Sequence, residues 1–81
     1  MKITVKLFSL ARELAGFDER VIELNRGSVA SDVVGHLAEG NPAFSDWRKS
    51  LRIAVNCEYV VDGQLLQDGD EVAIIPPVSG G

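Results

Sequence analysis

The sequence predicts an α+β fold in which a mixed sheet of four to five strands carries one main helix on one face. Two observations favour this class. Segments of alternating apolar residues lie near both ends of the chain, and a stretch with a helical apolar period lies between them. A helix with a single apolar stripe has to cover one face of a sheet to bury that stripe, which makes an α+β roll the expected architecture.

The first segment, KITVKLFS, has the period of two that is typical of a strand with one buried face. This alternation places Phe8 on the face opposite the core. The following segment, SLARELAG, predicts a short helix. Ser9 is its expected N-cap and Gly16 its expected left-handed C-terminal residue.

The next two elements are a strand and the main helix. RVIELN predicts a strand in which either Ile22 and Leu24 are the buried pair or both faces are covered. The main helix is predicted from a Ser28 cap to about Glu39, because apolar residues recur there every three to four positions. Gly35 inside this helix costs about 1 kcal/mol relative to alanine, which suggests close packing at that position.

The second half of the chain predicts three strands. AFSDWRKSL is expected to be a turn-rich segment in which Phe44, Trp47 and Leu51 cap one end of the core. RIAVN and EYVVDG predict two strands around a turn at NCE, and EVAII predicts the last strand after the DGD turn. We therefore expect a folded domain over residues 1–75 and an extended diglycine tail over residues 76–81.

Composition narrows the function. A chain of 81 residues forms one small domain, and its net charge of −4 argues against the basic surface that nucleic-acid binding requires. No apolar run approaches the roughly 20 residues of a membrane-spanning helix. The single cysteine, Cys57, cannot form an internal disulfide. We expect a cytoplasmic protein that binds neither nucleic acid nor membrane.

The final residues, PPVSGG, have the properties of a spacer that ends in a slender group. Pro76 and Pro77 remove two backbone donors and fix φ, so the sheet ladder has to stop there. Six residues after Ile75 can reach about 20 Å. Gly80 and Gly81 lack a Cβ, so they can pass through a narrow channel and present an open carbonyl.

Chemistry at Gly81 requires activation by another protein. An ionised carboxylate is a poor electrophile, and the simplest activated form is an acyl-adenylate made by an ATP-using enzyme. The sequence has no phosphate-binding loop, no nucleophile elbow and no cysteine pair. We therefore expect no stably bound cofactor in this chain.

Three segments carry a family resemblance: LFSLARELAG, AVNCEYV and LLQDGDEVAIIPPVSGG. They resemble, in order and over the whole chain, the small sulfur-carrying subunit of molybdopterin synthase. The resemblance implies a ubiquitin-like β-grasp fold. It also implies that the last glycine is adenylated by a partner similar to ubiquitin-activating enzymes and then converted to a thiocarboxylate, with sulfur relayed from a persulfide.

The resemblance further implies the partners and the residues that meet them. The tail would enter the large synthase subunit, in a heterotetramer of two small and two large subunits, and donate sulfur to a pterin precursor to form the dithiolene. Gly81 would carry the sulfur, and the rest of the tail would line the partner's channel: Pro76, Pro77, Val78, Ser79 and Gly80. The small subunit would donate sulfur without an independent catalytic activity.

The exposed position predicted for Phe8 fits a partner-binding surface. If the first and last strands are central neighbours, Phe8 and Ile75 emerge together on the face away from the main helix, with Ala73 behind them and Tyr59 nearby. Aromatic residues are enriched at interface hot spots, although single exposed hydrophobic residues are also normal. We expect an apolar docking patch there.

Other polar residues have simpler interpretations. Cys57 has no neighbour in the sequence that would activate a thiol, and His36 is expected at the helix surface. The acidic pairs Asp18-Glu19 and Asp68-Asp70 are expected to be solvated turns rather than acid–base or metal sites. Arg12 either binds a partner carboxylate or is a solvated helix residue.

Two other functions use the same tail. A ubiquitin-like modifier would be joined through Gly81 to a lysine amine. A sulfur carrier for thiamine or another thio-cofactor would use the same thiocarboxylate, although such carriers tend to be shorter and to lack the proline pair. An interaction domain with an idle tail predicts that deletion of Gly81 changes nothing.

Overall fold

The structure is a computed structural model that describes residues 1–47 and 50–76, without the side chain of Trp47. Five residues of the predicted tail, Pro77, Val78, Ser79, Gly80 and Gly81, lie outside the described residues. The Trp47 side chain, predicted to cover one end of the core, lies outside them as well.

The elements follow the predicted order of strand, helix, strand, helix and strands. Their bounds are β1 (Lys2–Leu7), α1 (Ser9–Ala15), β2 (Glu19–Glu23), α2 (Ala30–Gly40), α3 (Ala43–Trp47), β3 (Arg52–Val55), β4 (Glu58–Val60) and β5 (Glu71–Ile75).

The five strands form one mixed sheet in the order β2-β1-β5-β3-β4. The first and last strands are central neighbours and run parallel, with Leu7 opposite Ile74. The other three pairings are antiparallel. A parallel pair needs a long crossover connection, and here the connection contains α2, which packs on one face of the sheet. The predicted mixed sheet with one main helix is confirmed.

The core lies between the sheet and α2. Ile3, Val5 and Ile74 from the two central strands and Val33 from α2 are fully shielded from solvent. Val21 is 59% exposed and Ile22 only 6% exposed, so β2 buries one face and the first of the two predicted arrangements is the correct one.

The segment after α2 forms a short helix, α3, where turns were expected. Asn41 begins it, because its side-chain Oδ1 accepts from the backbone N–H of Ala43 at 3.1 Å and its carbonyl accepts from Phe44 at 3.1 Å. Phe44 is 1% exposed and Leu51 is 9% exposed, so both join the core as predicted.

Both predicted serine N-caps are wrong by one residue. The extended residue before α1 is Phe8, with φ −128° and ψ 153°, while Ser9 belongs to the helix at φ +50°. The residue before α2 is Val29 rather than Ser28.

The start of α2 is satisfied by tertiary contacts instead of a serine side chain. Val29 pairs with Leu65 in an isolated bridge, and the backbone N–H groups of Ala30 and Ser31 donate to the carbonyls of Gln64 and Asp62. The Asp32 carboxylate accepts from the Val29 N–H at 2.8 Å. These partners replace the usual cap because they occupy the otherwise unpaired donors of the first turn.

The two helix glycines have different roles. Gly16 ends α1 at φ +83°, as predicted, and its N–H donates to the carbonyl of Arg12. Gly35 does not mark close packing, because a Cβ built there meets no atom within 4 Å. Within residues 1–47 and 50–76, no helix has the length and apolar character needed to cross a membrane.

Candidate functional site

The candidate site is the face of the sheet that α2 leaves uncovered, here called the outer face. Strand alternation places Lys6, Ala73, Ala54 and Tyr59 in one row across this face, since Lys6 pairs with Ala73, Ala73 with Ala54, and Ala54 with Tyr59. The sheet therefore presents its own side chains directly at this surface.

The outer face has an apolar strip made of Phe8, Ile75, Ala73, Ala54 and Tyr59. Phe8 and Ile75 each follow a member of the Leu7–Ile74 pair, so alternation places both on the outer face. Phe8 is 48% exposed and Tyr59 is 64% exposed, while the alanines between them are buried or half-buried. The predicted neighbourhood of Phe8, Ile75 and Tyr59 therefore exists as a shared surface, whose partner binding stays a prediction.

The tail begins at the edge of the apolar strip. β5 ends at Ile75, and Pro76 follows it as a buried residue. Pro76 has no N–H to extend the ladder. Pro76 is held against the folded body. The C-terminal carboxylate can therefore lie at most about 16 to 18 Å from it, which is the fully extended length of five residues.

Lys6 is the charged residue that borders the apolar strip on the β1 side. Its Nζ lies 3.2 Å from Oε2 of Glu71 and 3.7 Å from Oε1 of Glu19. The hydrogen bond and the charge of Glu71 raise the pKa of Lys6 above its ordinary value of 10.5, and the charge of Glu19 adds to the rise. Lys6 is therefore a cation already neutralised by its neighbours.

Arg52 forms the border on the β3 side. It is the Cα partner of Ile75, and its guanidinium carbon lies 5.5 Å from the centroid of the Tyr59 ring. Arginine prefers this stacked position over an aromatic face. Arg52 was not among the site residues predicted from the sequence, although a two-residue turn between the strands would place it diagonally across from Tyr59.

The turn between β3 and β4 places Cys57 at the surface. Asn56 and Cys57 have φ values of +51° and +72°, which is the pattern of a two-residue hairpin turn. The Asn56 side chain donates to Asp70 at 2.9 Å and accepts from the N–H of Glu71 at 3.1 Å. These bonds join the turn to the start of β5.

The acidic turn before β5 also holds backbone. Asp68 accepts from the N–H of Lys2 at 2.7 Å, and Asp70 accepts from the N–H of Gln67 at 2.8 Å. Both carboxylates are thereby used in the fold. Among residues 1–47 and 50–76, no three His, Cys, Asp or Glu side chains gather in a way that could hold a metal ion.

The remaining candidates lie apart from the apolar strip or at its edge. His36 is exposed on α2, and Asp18 is exposed before β2. Arg12 is exposed on α1 and lines a shallow groove together with Phe8 and Lys6. The structure thus brings Arg12 close to the strip and leaves His36 on the helix side of the sheet.

Comparison with known protein families identifies the family of this chain. The sequence profile of the ThiS family matches residues 5–81. The chain belongs to the ThiS family. Two relatives, both called molybdopterin synthase sulfur carrier subunit, are similar over the whole chain. The one from Chlamydomonas reinhardtii is 43% identical and is covered over 100% of its length, and the one from Arabidopsis thaliana is 37% identical and is covered over 84%.

Solved structures show the same fold as this ThiS-family chain. Small archaeal modifier protein 1 from Haloferax volcanii has a TM-score of 0.86 at 27% identity, with 100% of both chains covered. An ubiquitin from Caldiarchaeum subterraneum has a TM-score of 0.65 at 17% identity, covering 100% of this chain and 98% of the other. The expected ubiquitin-like β-grasp fold is confirmed.

A further neighbour comes from a protein–protein complex of subunits 1 and 2 of the molybdopterin-converting factor of Helicobacter pylori. Its TM-score is 0.66 at 22% identity, with 100% of both chains covered. At this identity the likeness shows the fold alone. The ThiS-family chain shares the architecture of a chain solved together with another subunit.

Proposed function

We propose that this ThiS-family chain is the sulfur carrier subunit of a molybdopterin synthase and that Gly81 carries the sulfur as a thiocarboxylate. The observation that supports this most strongly is that the apolar strip is continuous with the root of the tail. Phe8 and Ile75 share the outer face, and buried Pro76 follows Ile75 directly. A protein that docks on the strip is therefore placed within covalent reach of Gly81.

Loading of Gly81 takes two steps on a separate activating enzyme. The carboxylate first attacks ATP and releases pyrophosphate, which gives an acyl-adenylate. A sulfur donor at the oxidation level of sulfide then attacks the carbonyl carbon, and AMP leaves with the former carboxylate oxygen. The product is a thiocarboxylate, and ATP is consumed by the partner rather than held by this chain.

Unloading takes place in the large synthase subunit. The thiocarboxylate sulfur attacks a carbon of the pterin precursor and displaces the oxygen substituent there, so that a thioester joins the carrier to the pterin. Water then hydrolyses the acyl–sulfur bond, which leaves the sulfur on the pterin as a thiol and restores the carboxylate of Gly81. A dithiolene needs two sulfur atoms, so two loaded carriers are used in succession. The carrier's folded body contributes docking and direction, and we expect it to act within a heterotetramer of two small and two large subunits.

A second candidate function is protein modification. It is favoured by the 27% identity to small archaeal modifier protein 1 over the full length of both chains. In that case a lysine amine would attack the acyl-adenylate of Gly81 and form an isopeptide bond. A sulfur carrier for thiamine or another thio-cofactor is a third use of the same terminus, and a pathway-specific rescue assay distinguishes it.

The test of the proposal is intact mass spectrometry of the carrier after incubation with ATP, the activating enzyme and a sulfur donor. We expect the mass gain of one oxygen-to-sulfur exchange at the C-terminus. The matched control is the variant lacking Gly81, which should gain nothing. Isopeptide-linked products in a cell extract, formed without any thiocarboxylate, would favour the modifier function instead.

A further inference from the structure

We propose that Arg52 is a partner-selecting contact that binds a carboxylate of the large synthase subunit beside the mouth of the channel that receives the tail. The inference rests on the proposed function, because it assigns a role to one residue of the same docking surface. It concerns the chemistry of the partner's surface, which the apolar strip alone does not specify.

Arg52 lies beside the last strand residue before the tail. It faces Ile75 in the β3–β5 ladder, and Ile75 is the last strand residue before Pro76 and the tail. The backbone of Arg52 is therefore one strand spacing, about 4.8 Å, from the backbone of Ile75, while its guanidinium extends toward Tyr59 of β4, 5.5 Å from the centroid of that ring.

The charge of Arg52 has no ion-pair partner within the described part of the chain. Within the described part of the chain, the ion pairs shorter than 4 Å both belong to Lys6. Arg52 is exposed, and its described interaction is with the face of the Tyr59 ring. Asp62 lines the same shallow cavity as Arg52 without coming within ion-pair distance. The two cations that border the strip thus differ, since Lys6 is neutralised and Arg52 is free to take an external anion.

The geometry of the guanidinium also favours a carboxylate. An arginine that stacks on an aromatic ring keeps its planar edge of N–H donors directed outward, and that edge matches a carboxylate bidentately. The Tyr59 ring also restricts the long side chain, so less conformational entropy is lost when an anion binds. Tyr59 is therefore a positioning residue for Arg52 as well as a part of the apolar strip.

The free cation at Arg52 is complementary to a carboxylate, although the chain as a whole is acidic. This chain has a net charge of −4, so an acidic partner surface would be repelled except where the carrier offers a free cation. A lasting subunit interface is the place where such a pair becomes shielded from water, and its orientation then fixes how the tail enters. The large synthase subunit is the lasting partner in the proposed function, whereas the activating enzyme binds only for loading.

The experiment compares binding and loading in the same variants. Arg52→Gln removes the charge, Arg52→Lys keeps the charge without the planar fork, and Arg26→Gln removes an exposed arginine in the turn before α2. Affinity for the large subunit is measured by titration calorimetry at low and high salt. Thiocarboxylate formation by the activating enzyme is measured by intact mass.

We expect Arg52→Gln to weaken binding to the large subunit by about tenfold and to reduce its salt dependence. Arg52→Lys should recover part of the affinity, and Arg26→Gln should bind like the wild type. Arg26→Gln should also be loaded at the wild-type rate. A charge swap, Arg52→Glu with an acidic residue of the large subunit changed to arginine, should restore binding.

Two results would overturn the inference while leaving the proposed function intact. One is wild-type affinity of Arg52→Gln at both salt concentrations. The other is an equal loss in Arg52→Gln and Arg26→Gln, which would show a general charge effect. If instead the wild-type carrier neither gains sulfur nor binds the large subunit, the proposed function itself is wrong, and the contact at Arg52 fails with it.

Discussion

Leu7 and Ile74 lie opposite each other in the two central parallel strands, both facing the core. Phe8 follows Leu7 and Ile75 follows Ile74, and both of these residues face the outer face of the sheet. The same register that buries one pair in the core therefore presents the other pair at the root of the tail. The position of the docking surface is a consequence of how the core is packed.

The first prediction concerns this docking surface. Phe8→Ala and Tyr59→Ala should each weaken binding to the large subunit by about 2 kcal/mol, because exposed aromatic residues lose the most when an interface buries them. The measurement is titration calorimetry with the thermal midpoint recorded in parallel. Leu65→Ala is the control, since Leu65 is 57% exposed but pairs with Val29 at the start of α2. Equal affinities of all three variants would contradict the assignment of this surface.

The second prediction concerns the glycine inside α2. Gly35→Ala should raise the free energy of unfolding by about 1 kcal/mol, because the Cβ meets no atom within 4 Å and alanine is the better helix former. Urea unfolding measures the change. Gly16→Ala is the matched control and should destabilise, since φ of +83° strains any residue with a Cβ. A destabilised Gly35→Ala variant would mean that the helix packs more tightly than the structure shows.

The third prediction concerns the hairpin turn. Cys57 has φ +72°, a conformation that costs a residue with a Cβ about 1 to 2 kcal/mol. Cys57→Gly should therefore stabilise the protein by about 0.5 to 1 kcal/mol after the added flexibility of the unfolded chain is included.

Asn56→Gly serves as the control for that turn. It keeps a residue suited to positive φ but loses the bonds to Asp70 and Glu71, so it should lower stability by about 1 kcal/mol. Guanidinium unfolding measures both variants. Stabilisation by Asn56→Gly together with destabilisation by Cys57→Gly would show that the turn has a different conformation.

The fourth prediction concerns the charge of Lys6. The pKa of Lys6 lies above its ordinary value of 10.5 in the folded protein. The ion pair therefore stabilises the fold fully below pH 10.5, and its contribution is lost as the pH rises through the higher pKa of the folded state. The NMR shift of the Lys6 ε-methylene carbon should titrate at higher pH in the wild type than in Glu71→Gln. Glu58→Gln, which removes an exposed carboxylate of β4, should leave the midpoint in place. Equal midpoints in the wild type and Glu71→Gln would rule out the bond.

Much of the fold follows from local sequence pattern. The alternation of Ile3, Val5 and Leu7 fixes which face of β1 is buried, and the glycine at position 16 ends α1 where it was expected. The exposed position of Phe8 follows from the same alternation. These features depend on neighbouring residues, so the sequence alone predicts them.

The contacts that the sequence did not predict are made between residues that are distant in sequence. The start of α2 is fixed by carbonyls from Asp62 and Gln64, which a search for a local serine cap cannot detect. The pairing of Lys6 with Glu71 requires the parallel register of β1 and β5. The stacking of Arg52 on Tyr59 likewise depends on the hairpin register. Tertiary pairing decides each of these contacts.

The most direct measurement is reconstitution of dithiolene formation from a pterin precursor with the large subunit and a carrier loaded by the activating enzyme. The full-length carrier should support the reaction, with two thiocarboxylates consumed for each dithiolene. A carrier without Gly81, or with one residue added after it, should dock but transfer no sulfur. Full activity of the lengthened carrier, without removal of the added residue, would contradict the assignment of Gly81 as the sulfur-bearing residue.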